Sequence, residues 1–223
     1  MNENPEKTIE HDPTPLIYGK LPVYLGQFPF QLPEVMYWLY LPVVIEQSDV
    51  RVPIPLECCL PLIDEAIRYT DNQYQYVYLS ARKGYASPDN PLNRPGWHCD
   101  GFGTSDINFV WWDGPGTRFA NQAFRGIVSD HNRSLRQFDE QVDPNRVVTY
   151  PEHGLYVIDP SVVHATPVIS PPGCLRSYVK VSCSDHKYNL ENNSHNWLFD
   201  YDWPMHSRDE LRNDPHRAQR DYP

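Results

Sequence analysis

The sequence predicts a mainly β fold, a sandwich or barrel of short strands with a helix on its outside, on three observations. The 223 residues fit one ordinary domain. Proline (23 residues) and aromatic residues (13%) are plentiful, which suits short strands and fixed turns better than a helical bundle. From residue 74 onward, apolar residues recur with a period of two between clusters of Gly, Pro, Asp and Asn.

The individual elements follow from local patterns. Residues 16–55 hold short apolar segments separated by prolines, which favour short strands, with a helix as an option near 33–40. The segment PLIDEAIRYT at 61–70 predicts a helix, because Pro61 suits a first turn and the apolar residues follow helical spacing. Alternating segments predict strands at 74–80, 107–112, 146–150, 154–158, 162–169 and 174–183.

The chain is predicted to hold a single domain at residues 16–188, with an N-terminal elaboration. The polar residues 1–15 predict a mobile leader, and residues 189–223 a C-terminal extension. The aromatic centre of that extension favours packing on the domain, with the last residues frayed. Residues 125–146 carry four arginines and predict either an insertion with substrate-specific loops or a solvated connection.

Composition narrows the classes of function. The formal charge of −10 disfavours wrapping a nucleic-acid backbone, although residues 82–146 balance eight acidic with eight basic residues and leave a local basic surface open. No run approaches the roughly 20 apolar residues that span a bilayer. Five cysteines without a CxxC pair favour reduced thiols. With no signal-peptide features at the N-terminus, these observations predict a soluble, cytoplasmic protein without a membrane partner.

The strongest chemical signal is the segment PGWHCDG, which contains His98 and Asp100. On an extended backbone these two side chains project from one face and can begin a divalent-metal site, although a surface hydrogen bond is the ordinary alternative. His164 follows in HGLYVIDPSVVHATP, and Arg176 lies twelve residues further on. Two histidines and one carboxylate form the facial triad that leaves open positions on non-haem Fe(II), and an arginine nearby can hold a dicarboxylate.

This order of residues resembles the Fe(II)/2-oxoglutarate-dependent dioxygenase superfamily over residues 74–183. The resemblance implies a double-stranded β-helix, a jelly-roll or cupin-like barrel with a few flanking helices. It implies Fe(II) bound by His98, Asp100 and His164, with 2-oxoglutarate and O₂ as co-substrates and no catalytic residue beyond the metal ligands. His98 and Asp100 would lie just after the second core strand, His164 on the seventh and Arg176 on the eighth. The implied activity is hydroxylation of a substrate with decarboxylation of 2-oxoglutarate to succinate.

Further contacts to the keto-acid are expected from Arg176, which would hold its distal carboxylate, and from Tyr178, which shares the face of Arg176 by alternation. Tyr78 on the first core strand is another candidate, with an ordinary barrel aromatic as the alternative. The same alternation allows Arg176, Tyr178 and Lys180 to face water, because the other face of their strand is more apolar. Candidates for the substrate pocket are Phe102, Asn108, Trp112 and Arg118. His153 is a turn residue or a rival ligand.

Other functions stay open at this point. The chain could be an inactive barrel that acts as a binding or structural protein, or a cupin-like metalloenzyme that uses no keto-acid. A small-molecule substrate is favoured because the chain is compact and acidic; a nucleobase or a protein side chain comes next. The sequence makes no prediction of oligomeric state.

Overall fold

The described part of the chain contains nine strands arranged in two antiparallel sheets. The structure is a computed structural model and describes residues 17–102, 104–128 and 130–208. The larger sheet has six strands in the order β1-β7-β4-β9-β3-β2, and the smaller has three in the order β6-β5-β8. The strands are β1 (Val23–Gln27), β2 (Met36–Val44), β3 (Tyr76–Ala86), β4 (Ile107–Asp113), β5 (Arg118–Ala120), β6 (Val147–Thr149), β7 (Gly154–Ile158), β8 (His164–Ala165) and β9 (Cys174–Ser184). The predicted mainly β fold is confirmed.

The two sheets pack face to face. One apolar cluster joins Trp112 and Tyr156 of the larger sheet to Phe119 of the smaller, with Val148 packed against it. The rings of Trp112 and Tyr156 stack with their centroids 4.8 Å apart. This cluster closes one end of the space between the sheets.

The opposite face of the larger sheet is also buried, under helix α1 (Leu60–Tyr69). Leu62, Ile63 and Ala66 of α1 are fully buried in the same cluster as Val179 and Val181 of β9. Each buried aliphatic side chain of this kind contributes about 1.5–3 kcal/mol relative to exposure. The helix predicted at 61–70 is therefore confirmed, one residue early, and a 3-10 helix (Ile54–Cys59) leads into it.

Two other segments depart from or refine the sequence prediction. The helix considered near 33–40 is wrong, because Met36–Val44 forms β2, which pairs with β3 and is rich in residues that favour strands. The segment 125–146 contains helix α2 (His131–Gln141) between β5 and β6, and the Asp130 side chain accepts a hydrogen bond from the Arg133 N–H at its start.

The described part of the C-terminal extension, residues 189–208, lies against β2. The Ser194 N–H donates to the carbonyl of Leu39 at 2.7 Å, and the fully buried amide of Asn196 donates to the carbonyls of Pro42 and Arg51. The leader and the final residues, 209–223, for which mobility and fraying are predicted, lie outside the described residues. The five cysteines are unpaired, and within the described ranges no helix has the length and apolar character to cross a bilayer.

Candidate metal centre

His98 and His164 face each other across an isolated antiparallel bridge. The N–H of each residue donates to the carbonyl of the other, at 2.9 and 2.8 Å, and their ring centroids lie 4.4 Å apart. One ring nitrogen from each histidine and a carboxylate oxygen of Asp100 all lie within 4.8 Å of one another. The structure thus brings together the three side chains that the sequence nominates as metal ligands.

Local turns hold these side chains in place. Asp159 accepts a hydrogen bond from the Ser161 N–H at 2.8 Å, which forms a turn through Pro160 just before His164. Gly101 follows Asp100 with φ of 76°, and a Cβ there would lie 2.8 Å from the hydroxyl of Thr104. Glycine therefore suits this turn, which ends the ligand segment.

Backbone carbonyls fix the tautomer of both histidines. Nδ1 of His98 lies 3.0 Å from the carbonyl of Gly96, and Nδ1 of His164 lies 3.1 Å from the carbonyl of Val162. A carbonyl oxygen only accepts, so each Nδ1 carries the hydrogen and each Nε2 keeps its lone pair. Histidines that ligate metals are usually oriented in this way.

Asp100 is paired with a cation from β9. Nζ of Lys180 lies 3.0 Å from Oδ2 of Asp100 and 3.0 Å from the hydroxyl of Tyr40. The Lys180 side chain is 10% exposed, and that of Asp100 24%. Sequence reasoning missed both Lys180 and Tyr40 as site residues; the signal for Lys180 was its place on the same strand face as Arg176.

The surroundings shift the pKa values of these groups strongly. Burial, and secondarily the charge of His164, lowers the pKa of His98 to about 3, and burial also lowers the pKa of His164. Burial alone would raise the pKa of Asp100, but Lys180 and the other nearby cations outweigh it and hold that pKa below its ordinary value. At neutral pH the centre therefore consists of two neutral imidazoles and one carboxylate, the protonation states that a metal requires.

Arg176 lies on β9, four residues before Lys180, and is 1% exposed. Its Nε donates to the carbonyl of Pro115 at 2.8 Å and its Nη1 donates to Oδ1 of Asn93 at 2.6 Å, while its buried Nη2 has no hydrogen-bond partner among the residues that the structure describes. The guanidinium carbon sits 5.4 Å from the ring centroid of Tyr178. One buried donor therefore remains for an acceptor such as a carboxylate.

The alternative that Arg176, Tyr178 and Lys180 face water is wrong. Arg176 and Lys180 are 1% and 8% exposed, and the intervening Val179 packs under α1. Leu175 is exposed and Tyr178 half-buried, but the rest of β9 from Arg176 onward is buried on both faces, and the polar face is the one turned towards the smaller sheet.

A cavity of about 290 Å³ opens over the triad. His98, Asp100 and His164 lie in its wall with Tyr178, as does Asn93, the partner of Arg176. Other wall residues come from β2, β3, the 92–94 segment, the start of β5, β8 and its end, β9 and the extension: Tyr37, Trp38, Leu39, Tyr40, Ser80, Ala81, Arg82, Leu92, Arg94, Thr117, Ala165, Thr166, Lys180 and Arg208.

Tyr78 lies apart from this wall. Its hydroxyl donates to the carbonyl of His186 at 2.9 Å and accepts from the Tyr188 N–H at 3.0 Å. Its ring stacks on Tyr188 with the centroids 4.1 Å apart. These contacts anchor the start of the extension and leave the hydroxyl engaged away from the triad.

None of the four residues nominated for the substrate pocket lies in the cavity wall itself. Phe102 contacts Tyr18 edge to face, and Asn108 accepts a hydrogen bond from Ser182. Trp112 is fully buried in the apolar cluster between the sheets. Arg118 donates to the carbonyl of Thr166 at 2.7 Å, although its neighbour Thr117 does line the cavity.

Comparisons with known proteins do not show a family for this chain. No family model matches the chain, and no curated protein matches it. Among solved structures, one similar chain is that of the crystal structure of EvdO2 from Micromonospora carbonacea var. aurantiaca, with 18% identity and a TM-score of 0.37. The match covers 59% of this chain, and the chain spans about three fifths (60%) of EvdO2.

A second group of metal-capable side chains lies at the end of β4. Asp113, Glu152 and His153 place one ligand atom each within 4.8 Å of one another. Glu152 is exposed and already accepts a hydrogen bond from the Gly114 N–H. His153 is thus separate from the triad of His98, Asp100 and His164, and is not a member of it.

Proposed function

We propose that this protein is an Fe(II)- and 2-oxoglutarate-dependent dioxygenase that hydroxylates a small molecule. The observation that carries the proposal is the convergence of His98, Asp100 and His164 within 4.8 Å, with Nε2 of both histidines left free by hydrogen bonds at Nδ1. Two neutral imidazoles and a carboxylate suit Fe(II). The iron would supply the oxygen chemistry, and the chain would supply binding, orientation and exclusion of water.

We also infer that the fold is a double-stranded β-helix. If β3 is counted as the first core strand and the His98 bridge as the second, the strands that follow are β4 to β9 in order. His164 then falls on the seventh and Arg176 on the eighth, as the resemblance implies. In this count the first, third, sixth and eighth strands (β3, β4, β7 and β9) lie in the larger sheet and the fourth, fifth and seventh (β5, β6 and β8) in the smaller, and this distribution supports the inference.

Arg176 fits the role of holding the distal carboxylate of 2-oxoglutarate. Its Nη2 is buried and finds no partner within the described ranges, and leaving such a donor unpaired costs about 1–3 kcal/mol, which a bound carboxylate would recover. Tyr178, against the guanidinium and in the cavity wall, would lie beside the same carboxylate.

One observation favours a second candidate, a barrel that binds an anion without metal. Lys180 already satisfies Asp100 at 3.0 Å, as an ammonium group can do in place of a metal ion. In such a protein the cationic side chains of the cavity would bind a carboxylate or phosphate directly.

Metal titration separates the two candidates. Full-length protein is titrated with Mn(II) by calorimetry, beside His98→Ala and His164→Ala, with His153→Ala as the matched control from the second cluster. The proposal predicts one site, lost in the first two variants and retained in the control. Loss in His153→Ala alone, or no binding by the wild-type protein, contradicts it. Succinate formed from 2-oxoglutarate with Fe(II) in air then tests the activity.

A further inference from the structure

We propose that the substrate is a small organic anion, a carboxylate or a phosphate ester, and that Arg94 and Arg208 at the cavity bind its charge. This inference rests on the proposed function for the place of the reaction and adds the class of substrate. It is carried by the charge of the cavity wall.

The wall is cationic although the chain is acidic. The protein has a formal charge of −10, yet the described wall residues include four cations (Arg82, Arg94, Lys180 and Arg208) and one carboxylate, Asp100. Asp100 is paired with Lys180. The three arginines form no ion pair with a carboxylate among the described residues. A cleft lined by charges of one sign focuses the field and attracts ligands of the opposite sign.

Iron and the co-substrate do not account for this excess. Fe(II) would add two positive charges and 2-oxoglutarate two negative charges, so the net charge of the wall stays the same with both bound. In the proposed function the distal carboxylate of 2-oxoglutarate is held by Arg176, which donates to the wall residue Asn93. As far as the described residues show, three arginines therefore remain for another anion.

The three arginines differ in the hydrogen bonds and ring contacts that their side chains already make. Arg82 donates to the carbonyl of Leu92 and lies over the ring of Tyr37, so it also supports the wall. Arg208 donates to the carbonyl of Glu191 and the side chain of Asn193. Arg94 is exposed, and its charge is felt at all three of His98, Asp100 and His164. The hydrogen bonds of Arg208 stay within the extension, and Arg94 is exposed. Replacing either of these two arginines should therefore affect the barrel least.

The size and remaining chemistry of the cavity indicate a small molecule. Its volume of about 290 Å³ is at the low end for small-molecule sites. Trp38 and Tyr178 offer aromatic surface in the same wall. An anion with a compact apolar or planar body fits this combination.

The test uses full-length protein saturated with Mn(II) and 2-oxoglutarate, titrated by calorimetry with phenylacetate, phenyl phosphate and neutral phenylacetamide. We expect at least one anion to bind roughly tenfold or more tightly than the amide. The affinity for this anion should fall as ionic strength rises above about 0.15 M. The two anions distinguish a carboxylate substrate from a phosphate ester. Equal binding of the amide, or no binding of either anion, overturns the inference.

The variants assign the charge to the arginines. Arg94→Gln and Arg208→Gln should each weaken anion binding roughly threefold to tenfold, Arg94→Lys should retain most of it, and Arg136→Gln on the exposed surface of α2 should change nothing. Equal losses in Arg94→Lys and Arg94→Gln, or none in either glutamine variant, contradict the inference. Thermal unfolding verifies that each variant is folded.

Failure of this inference is distinguishable from failure of the proposed function. Anion binding to the metal-free protein that depends on Arg94 and Arg208, without any Mn(II) binding, supports the assignment of these arginines to an anion and rejects the iron enzyme. Mn(II) binding by a protein that binds the amide as well as the anions supports the metal site and contradicts the inference. If saturation with 2-oxoglutarate abolishes anion binding, the arginines serve the co-substrate and the inference is wrong.

Discussion

Nζ of Lys180 lies 3.0 Å from Oδ2 of Asp100, so the carboxylate assigned to the metal is bound by an ammonium group in this structure. The two residues are eighty positions apart, on β9 and in the segment before β4. Burying an unpaired carboxylate costs free energy, and the ion pair with Lys180 offsets this cost. Because Lys180 contacts only Oδ2, a metal would either bind Oδ1 beside the ion pair or displace Lys180 from Oδ2.

Replacing Lys180 should therefore make the protein depend on metal for stability. Lys180→Met leaves the Asp100 carboxylate unpaired, and we expect the free energy of unfolding of the metal-free protein to fall by about 2 kcal/mol or more. Saturating Mn(II) should stabilise this variant more than the wild-type protein. Urea unfolding with and without Mn(II) measures both effects.

The matched control is Lys187→Met, because Nζ of Lys187 lies 3.9 Å from Glu46 on a largely exposed surface. Such a pair contributes about 0–1 kcal/mol. If the two lysine variants are equally stable, and respond equally to Mn(II), the ion pair with Asp100 has no structural importance.

Acid should destabilise the metal-free protein at a pH set by His98. Its pKa falls from 6.5 to about 3 in the folded protein, so the unfolded chain binds a proton first as pH drops. The stability gained from the neutral imidazole is fully present above pH 6.5 and is lost progressively towards pH 3. Unfolding by urea at a series of pH values should show this slope.

The comparison for this slope is His98→Asn, which removes the titrating group and should flatten the pH dependence. His153→Asn serves as the control, since asparagine tolerates its φ of 63°. A slope unchanged in His98→Asn would mean that other groups govern the acid response.

The sequence predicts the triad better than it predicts the cavity. The spacing of His98 and Asp100 is a local property, because alternation in an extended segment puts both side chains on one face. Alternation also groups Arg176 with Tyr178 and Lys180, but it does not say which face of β9 is inside. Which face of β9 is inside depends on tertiary packing, because α1 buries Val179 and Val181 on the face opposite Arg176.

The residues that form the rest of the cavity depend on long-range packing. The pairing of Lys180 with Asp100 joins residues distant in sequence, and a lysine in a strand is ordinarily exposed. Trp38 and Tyr40 reach the cavity because β2 adds to the edge of the sheet beside β3. Phe102 and Trp112 have suitable chemistry for a pocket, but packing in apolar clusters occupies them.

Arg176 should determine affinity for 2-oxoglutarate without affecting metal binding. Arg176→Met removes the buried guanidinium whose Nη2 lacks a partner, and we expect the Kd for 2-oxoglutarate on the Mn(II) protein to rise about tenfold or more. The Kd for Mn(II) should stay within about twofold, because no metal ligand is changed. Calorimetry gives both constants.

A different outcome would assign the distal carboxylate to another cation. If Lys180→Met abolishes 2-oxoglutarate binding while Arg176→Met leaves it intact, Lys180 holds the co-substrate. Circular dichroism of Arg176→Met is needed beside the titration, because the carbonyl of Pro115 and the side chain of Asn93 lose their donor.

Gly116 should be required for the packing between the sheets. A Cβ at this position would lie 2.6 Å from Nε1 and 2.9 Å from Cε2 of Trp112, which is fully buried and stacked on Tyr156. The indole cannot move without disturbing that stack, so Gly116→Ala should lower the free energy of unfolding by about 1–3 kcal/mol. Gly84→Ala is the control, because its Cβ would meet only Leu92 at 3.5 Å, an ordinary contact. Thermal and urea unfolding of both variants measure the difference. Because Thr117 lines the cavity, Gly116→Ala should also weaken 2-oxoglutarate binding, and equal stability of the two alanine variants would show that this glycine is dispensable.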